Sequence, residues 1–346
     1  MTTRHYDVLV IGSGGGTKIS SPSSHLGLKV AIVEKDRLGG TCLNRGCIPS
    51  KMLIHPAEVA HQMHDSSRHF LKSKGFEVDF AALVRATSAT IDADSDSILP
   101  AYRRNENLDY YHGKAHFIGP KTVAVRDFQL TADKIYLAVG SRPFIPNIPG
   151  LAGTPFWTST EALRNEKQPK SLVILGGGYI ACELAFFFAA LGTEVHLIAR
   201  SILMRGQDTQ VREHFEECFA KRTNVYLHHA THEVRHSDGM FQVDVSNKEG
   251  KRFTLEGENI LVATGVTPTS DTLNLDVTEV RTDARGFIQV DDHLRTHAPG
   301  IWALGDVVGN YLFRHSVNRE GEYLFRTTIA NPNDEAIDYG AMPHAA

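Results

Sequence analysis

The chain has 346 residues, a formal net charge of −4 and a pI near 6.5, enough for two or three domains and too acidic to favour nucleic acid or an anionic membrane as partner. Its four cysteines, Cys42, Cys47, Cys182 and Cys218, are too few for a secreted disulfide framework, and the N-terminus shows no signal peptide. The longest apolar tract, Leu184 to Leu191, is too short to span a bilayer and is read as a buried helix, so a cytoplasmic protein is expected.

Asp7 to Ile11 reads as a buried parallel strand. Gly12-Ser13-Gly14-Gly15-Gly16-Thr17 follows, then a second apolar run, Lys29 to Val33, that ends at Glu34, 22 residues after Gly12. Gly12 permits a tight turn, Gly14 lets backbone approach a pyrophosphate, and the next helix points its N-terminus at that anion. Glu34 is placed to accept hydrogen bonds from ribose hydroxyls. Thr17 departs from the pattern, because close helix–strand packing at the third glycine position favours Gly or Ala.

The next stretch, Gly39-Gly40-Thr41-Cys42-Leu43-Asn44-Arg45-Gly46-Cys47-Ile48-Pro49-Ser50-Lys51, holds two cysteines five positions apart. In an ideal α-helix such positions are about 8.6 Å apart between Cα atoms, beyond the roughly 4.4–6.8 Å of a disulfide. Pairing therefore requires a break in the helix, for which Gly46 gives the freedom. A cross-link closing so short a loop adds little stability, and a helix N-terminus favours a thiolate. These points suggest a redox switch; two reduced cysteines packed in a turn is the other reading of the spacing alone.

Lys51 to about His69 and Ala81 to Leu99 read as helices, Tyr110 to Val125 as strands turning at Gly119-Pro120, and Lys134 to Val139 as a buried strand ending at Gly140-Ser141-Arg142-Pro143. Of His55, His61, His64 and His69 only His61 and His64 fall on nearby turns, and no acid or cysteine joins them in a plausible shell, so they are expected to be solvated rather than metal-binding. Pro146, Pro149 and Gly150 mark a crossing between domains. Ser171 to Leu175, Gly176-Gly177-Gly178-Tyr179-Ile180-Ala181-Cys182-Glu183, an apolar helix and the strand Glu194 to Ile198 then repeat the first device. Where an acid would meet a ribose 2′-hydroxyl stands Ala199, followed by Arg200 and Arg205, cations that suit a 2′-phosphate. Cys182 and Cys218 read as structural, and His228, His229, His232 and His236 lack further ligands; no metal site is expected. Ile260 to Gly265 echoes Leu137 to Gly140, and Gly300 to Val307 places Asp306 behind a buried strand and a glycine, suited to a polyol.

Taken together, the Gly12-Ser13-Gly14 loop, Gly39 through Lys51, Gly176 through Glu183, Ala263-Thr264-Gly265 and Leu304-Gly305-Asp306 resemble the class I flavoprotein disulfide reductases, a group including dihydrolipoamide dehydrogenase and glutathione, mycothione and mercuric reductases. The resemblance implies an α/β fold of two Rossmann-like dinucleotide-binding domains, the second inserted in the first. An FAD domain would occupy residues 1–150 and 278–346, and an NAD(P) domain residues 151–277. FAD would lie along Gly12, Gly14, Glu34, Lys35, Gly40, Thr41, Ala115, Gly140 and Ser141, with Asp306 on the ribityl chain and Leu312 to His315 along the flavin ring. NAD(P)H would bind over Gly176, Gly178, Tyr179, Ile180 and Ala181, with Arg200 and Arg205 favouring NADPH and Gly265 nearby. Tyr179 resembles the gating tyrosine of glutathione-reductase-like members. Cys47 would be the charge-transfer thiol and Cys42 the interchange thiol, with Lys51 beside flavin N5 and paired with Glu183.

The implied activity is flavin-dependent NAD(P)H:disulfide oxidoreduction on a small disulfide or dithiol. The alternatives are a non-catalytic nucleotide-binding fragment and a flavin diaphorase or oxidase that ignores the cysteines. Val266 stands where members carry arginine, and the Arg200 to Arg205 interval is one residue short. The chain ends at Met342-Pro343-His344-Ala345-Ala346, where the homodimerising interface domain of relatives would begin. That domain carries a His–Glu acid–base pair, for which His344 is no substitute, so impaired turnover is expected of this chain.

Overall fold

A computed structural model describes residues 2–72 and 74–343; His344 lies outside them. The chain forms two units, one from residues 2–47, 91–142 and 267–343, the other from residues 48–72, 74–90 and 143–266.

In the first unit, β1 (Thr2–Ile11), α1 (Thr17–His25) and β2 (Val30–Glu34) are followed by α2 (Gly40–Arg45) and by α3 (Cys47–His64), of which only Cys47 belongs to this unit. The later half of α4 (Phe80–Arg103), β3 (Leu108–His112), β4 (Ala115–Gly119), β5 (Thr122–Val125) and β6 (Phe128–Leu137) continue it. Strands β3, β2, β1 and β6 run parallel in that order, with Val10 opposite both Ile32 and Tyr136, and the hairpin β4–β5 extends the sheet from β6. The sheet needs no alternation of polar residues because both faces are covered. One face carries Leu9, Phe117, Leu130 and Ile301, the other Val10, Ile19, Tyr136 and Leu324.

The short strand β7 (Ser141–Pro143) and the helix α5 (Ser159–Ala162) lead to the second unit, built on β8 (Ser171–Leu175), α6 (Tyr179–Ala190), β9 (Glu194–Ala199), α7 (Thr209–Ala220) and β10 (Asn224–Leu227). An antiparallel sheet of β11 (Ala230–Ser237), β12 (Met240–Ser246) and β13 (Arg252–Gly257) precedes β14 (Asn259–Val262), which completes the parallel order β10-β9-β8-β14. The apolar tract is the heart of α6: Leu184, Phe187 and Phe188 pack with Leu53, Ala57, Phe80 and Val84. That contact explains why residues 48–90 group with this unit.

Besides the excursion of residues 48–90, the chain crosses between residues 142 and 143 and between 266 and 267, where the sequence suggested 150 and 277. The proline-rich run groups with the second unit because the Val234 N–H donates to Pro149 O at 2.9 Å. A Cβ on Gly150 would lie 1.9 Å from Val234 O. After β15 (Val266–Pro268) the chain returns to the first unit, where β16 (Ile301–Ala303) pairs with β6 and α8 (Arg314–Phe325) covers the sheet.

Of the histidines expected in solvent, His64 is exposed, with its ring against Phe76, whereas His61 is only partly exposed and meets the edge of Phe186. Burial lowers the His61 pKa, so its ring is held toward the neutral form.

Candidate functional site

The two glycine turns have the same geometry. Gly12 N donates to Val33 O at 2.8 Å and Gly176 N to Ile198 O at 2.9 Å. A Cβ on Gly12 would stand 2.2 Å from Ala138 O, and one on Gly176 2.2 Å from Ala263 O, with φ of 108° and 140°. Only glycine fits where the turn leans on the first carbonyl past the neighbouring strand. Gly12-to-Ala138 and Gly176-to-Ala263 are thus one device built twice, once per unit.

At the first turn the close-packing role belongs to Gly16 rather than to position 17, since a Cβ on Gly16 would meet Gly12 O and Val10 Cγ1 at 2.4 Å. Thr17 instead opens α1 and donates its hydroxyl to Gly14 O. Glu34 is 9% exposed and collects four donors: Ser13 N and Oγ at 2.9 and 2.8 Å on one oxygen, Lys35 N and Asp36 N at 2.8 and 3.0 Å on the other. Gly39 N in turn donates to Ser13 Oγ. Ser13, not singled out in the sequence, therefore links Glu34 to the segment that carries the cysteines. Gly40 closes the cradle, where a Cβ would be 2.6 Å from Gly14 Cα.

The cysteine segment breaks as pairing requires. Helix α2 ends at Arg45, Gly46 adopts φ −139° and ψ −119°, and α3 starts at Cys47. A Cβ on Gly46 would lie 3.0 Å from Thr41 O and 3.4 Å from Cys42 Cα. Asn44, buried, ties α2 to the preceding loop through Leu38 O and Gly40 O. Both sulfurs are thiols in hydrogen-bonding contact, half-buried Cys42 with exposed Cys47. That bond to Cys47, followed by burial, pushes the Cys42 thiol well up, and the Arg314 guanidinium pulls it only partly back. A backbone N–H of Cys47, where α3 begins, also lowers the Cys42 thiol, but the side-chain contact with Cys47 and burial outweigh it.

Also in the first unit, Ser141 Oγ donates to Asp306 Oδ2 at 2.7 Å. Burial raises the Asp306 carboxyl above its ordinary range. Gly140 stands at φ 69° just before Ser141. Leu312, at φ 57°, and His315 are exposed, and buried Ala115 opens β4 opposite Val125. Buried oxygen, bare glycine turns and a dithiol in one unit fit a phosphate-and-polyol cofactor such as FAD.

In the second unit Lys51 Nζ stands 2.5 Å from Glu183 Oε1. Gly178 caps α6, Tyr179 accepts a hydrogen bond from Gln207 Nε2 and has its phenol pKa raised by burial, Ile180 is exposed and Ala181 buried. Beyond buried Ala199, Arg200 and Arg205 are both exposed. The loop they occupy is tied down by Met204 N to Gly177 O at 2.7 Å and Leu203 N to Glu216 Oε1 at 2.7 Å. Gly265, at φ 122°, is exposed. Among the described residues no helix is long and apolar enough to cross a membrane.

A family profile described as pyridine nucleotide-disulphide oxidoreductase matches residues 6–322. The chain is 32% identical over 332 residues to a mercuric reductase of Bacillus cereus, covering 95% of itself and 53% of that protein. It is 32% identical over 343 residues to a glutathione reductase of Burkholderia cepacia, covering 98% and 75%. A solved HOCl-induced flavoprotein disulfide reductase from Escherichia coli superposes with a TM-score of 0.84 at 25% identity, over 96% of this chain and 72% of that one. The chain thus spans little more than half the length of the Bacillus protein.

Proposed function

Because the chain belongs to the pyridine nucleotide-disulphide oxidoreductase family, we propose that it is a flavin-dependent NAD(P)H:disulfide oxidoreductase working through Cys42 and Cys47. The observation carrying this reading is the hydrogen-bonded dithiol at the Gly46 break, in the unit that also holds the Gly12 and Asp306 turns. FAD bound along those turns and a nicotinamide bound over Gly176 to Ala181 would supply and relay two electrons.

The protein's own part is thiol exchange. Cys42, as thiolate, attacks one sulfur of a small disulfide, forming a Cys42 mixed disulfide and releasing one thiol. Cys47 then attacks Cys42 Sγ, closing the Cys42–Cys47 disulfide and releasing the second. Two electrons and two protons leave the dithiol, and the substrate is reduced to two thiols. Since Cys42 is pushed up, its proton must be taken at the start of that sequence. Lys51, fixed by Glu183, is the cation assigned to the flavin side. Exposed Arg200 and Arg205 support NADPH over NADH. A cytoplasmic location suits a dithiol that must be kept reduced.

Anaerobic titration with NADPH and NADH tests this. The flavin absorbance should bleach, more readily with NADPH, and a long-wavelength thiolate–flavin band should grow and be lost in Cys47→Ser. A colourless protein, or identical spectra and turnover in Cys47→Ser, overturns the proposal.

A further inference from the structure

Helix α8 carries an acid that the redox chemistry above does not use. Glu320 is 1% exposed, on the same helix face as buried Ser316 and Leu324. Its Oε2 accepts the Gly305 N–H at 2.6 Å, and its Oε1 accepts the Tyr339 hydroxyl at 2.7 Å. A buried carboxylate held by two donors from distant segments is costly to desolvate, so its place needs a reason beyond packing.

The surroundings supply one. Gly305 stands at φ 76° and immediately precedes Asp306. A Cβ on Gly305 would meet Val317 Cγ2 at 2.7 Å, and one on Gly15 the same atom at 2.2 Å. Gly321 lets α8 approach further, since a Cβ there would be 2.6 Å from Lys18 Cβ. One face of α8 therefore rests on both turns assigned to the cofactor, the glycine loop and the Asp306 turn. Behind it the segment 335–339 lies along α8 like a strap. Tyr323 donates to Glu335 O at 2.7 Å, Arg319 to Asp338 O at 2.6 Å, and Tyr339 reaches Glu320.

We propose that Glu320 is a positioning residue for the flavin-holding turn: it fixes the Gly305 N–H, and through Tyr339 it couples that turn to the strap at residues 335–339. The inference rests on the flavin reading above. A carboxylate at this place restrains the peptide that aims Asp306 at a ribityl chain, and the strap keeps the carboxylate in line.

The test uses the flavin-loaded protein diluted stepwise, with FAD release followed by its fluorescence, in the wild type, Glu320→Ala, Glu320→Gln and Tyr339→Phe. Glu320→Ala should raise the FAD dissociation constant about tenfold and Tyr339→Phe about threefold. Glu320→Gln, which keeps an acceptor for Gly305 and a partner for Tyr339, should stay within about twofold. Folded Glu320→Ala with wild-type affinity overturns the proposal, as does a Gln variant as impaired as Ala. If Glu320→Ala does not fold, Tyr339→Phe decides: wild-type affinity there overturns the coupling. A wild type that binds no FAD overturns this inference and the functional reading together, whereas FAD binding indifferent to all three changes overturns this inference alone.

Discussion

Lys51 and Glu183 lie 132 residues apart in sequence and 2.5 Å apart in space, with the glutamate side chain 14% exposed and the lysine 50%. A pair so open on one side contributes at most about 1 kcal/mol to stability. Its value lies in holding one ammonium in one place.

Lys51→Met and Glu183→Gln should therefore leave unfolding free energy within about 1 kcal/mol of wild type. Both should slow flavin reduction by NADPH, by about tenfold, because an ammonium no longer fixed stabilises developing anionic charge poorly. Stopped-flow absorbance and thermal denaturation on the same samples separate the two effects. Large destabilisation with normal reduction would assign the pair to structure.

The backbone break between the cysteines yields a second expectation. Gly46→Ala adds a Cβ 3.0 Å from Thr41 O and 3.4 Å from Cys42 Cα, so α2 must shift to admit it. The cost should be about 1–2 kcal/mol, with most of the strain falling on the Cys42 side. Under mild oxidation the wild type should lose two titratable thiols as Cys42 and Cys47 pair. The variant should retain them longer, by thiol titration and peptide mass. Equal oxidation rates would mean that the chain does not need the break.

Much of this was legible from residue types alone, and the reasons are local. Strand, glycine turn, helix and terminal acid are consecutive in sequence, so Gly12 to Glu34 and Gly176 to Ala199 could be placed directly. What escaped was long-range. Ser13 gains its role from Glu34 and Gly39, and Glu320 from Gly305 and Tyr339. One signal for Glu320 was present: an acid four residues after Ser316 and four before Leu324, on the apolar stripe of an amphipathic helix. The influence of the two sulfurs on each other was likewise not legible, because dipole reasoning considers one sulfur at a time, whereas the largest influence on Cys42 is its hydrogen bond to Cys47.

Two acids of the first unit, Glu320 and Asp306, have carboxyls raised by burial and give stability a definite pH dependence. Burial raises the Glu320 carboxyl above its ordinary 4.5, Asp306 adds repulsion, and the Tyr339 and Gly305 donors offset only part of this. Asp306 is raised by burial as well. Over the window above their ordinary values the folded chain holds protons that the unfolded chain has released, so stability falls as pH rises through it. Glu320→Gln removes one of the two contributions. Its thermal midpoint should fall less steeply than that of wild type between mildly acidic and neutral pH. Parallel curves would show that Glu320 does not titrate there.

The strand β9 end sets the last expectation. Ala199 is buried and offers no acid to a ribose 2′-hydroxyl, while Arg200 and Arg205 stand exposed on a loop pinned to Gly177 and Glu216. A pinned loop presents its cations without paying much ordering entropy, so each charge-assisted contact to a 2′-phosphate should be worth about 1.5 kcal/mol or more. Arg200→Ala with Arg205→Ala should raise the NADPH dissociation constant by about 100-fold. The NADH value should move less than about threefold, because NADH has no group at that position. Isothermal titration with NADP⁺ and NAD⁺, which carry the same adenosine-ribose groups, reads the same contrast without turnover. Equal losses for the two nucleotides would mean that the arginines contribute only general positive potential, and high salt would then abolish the effect.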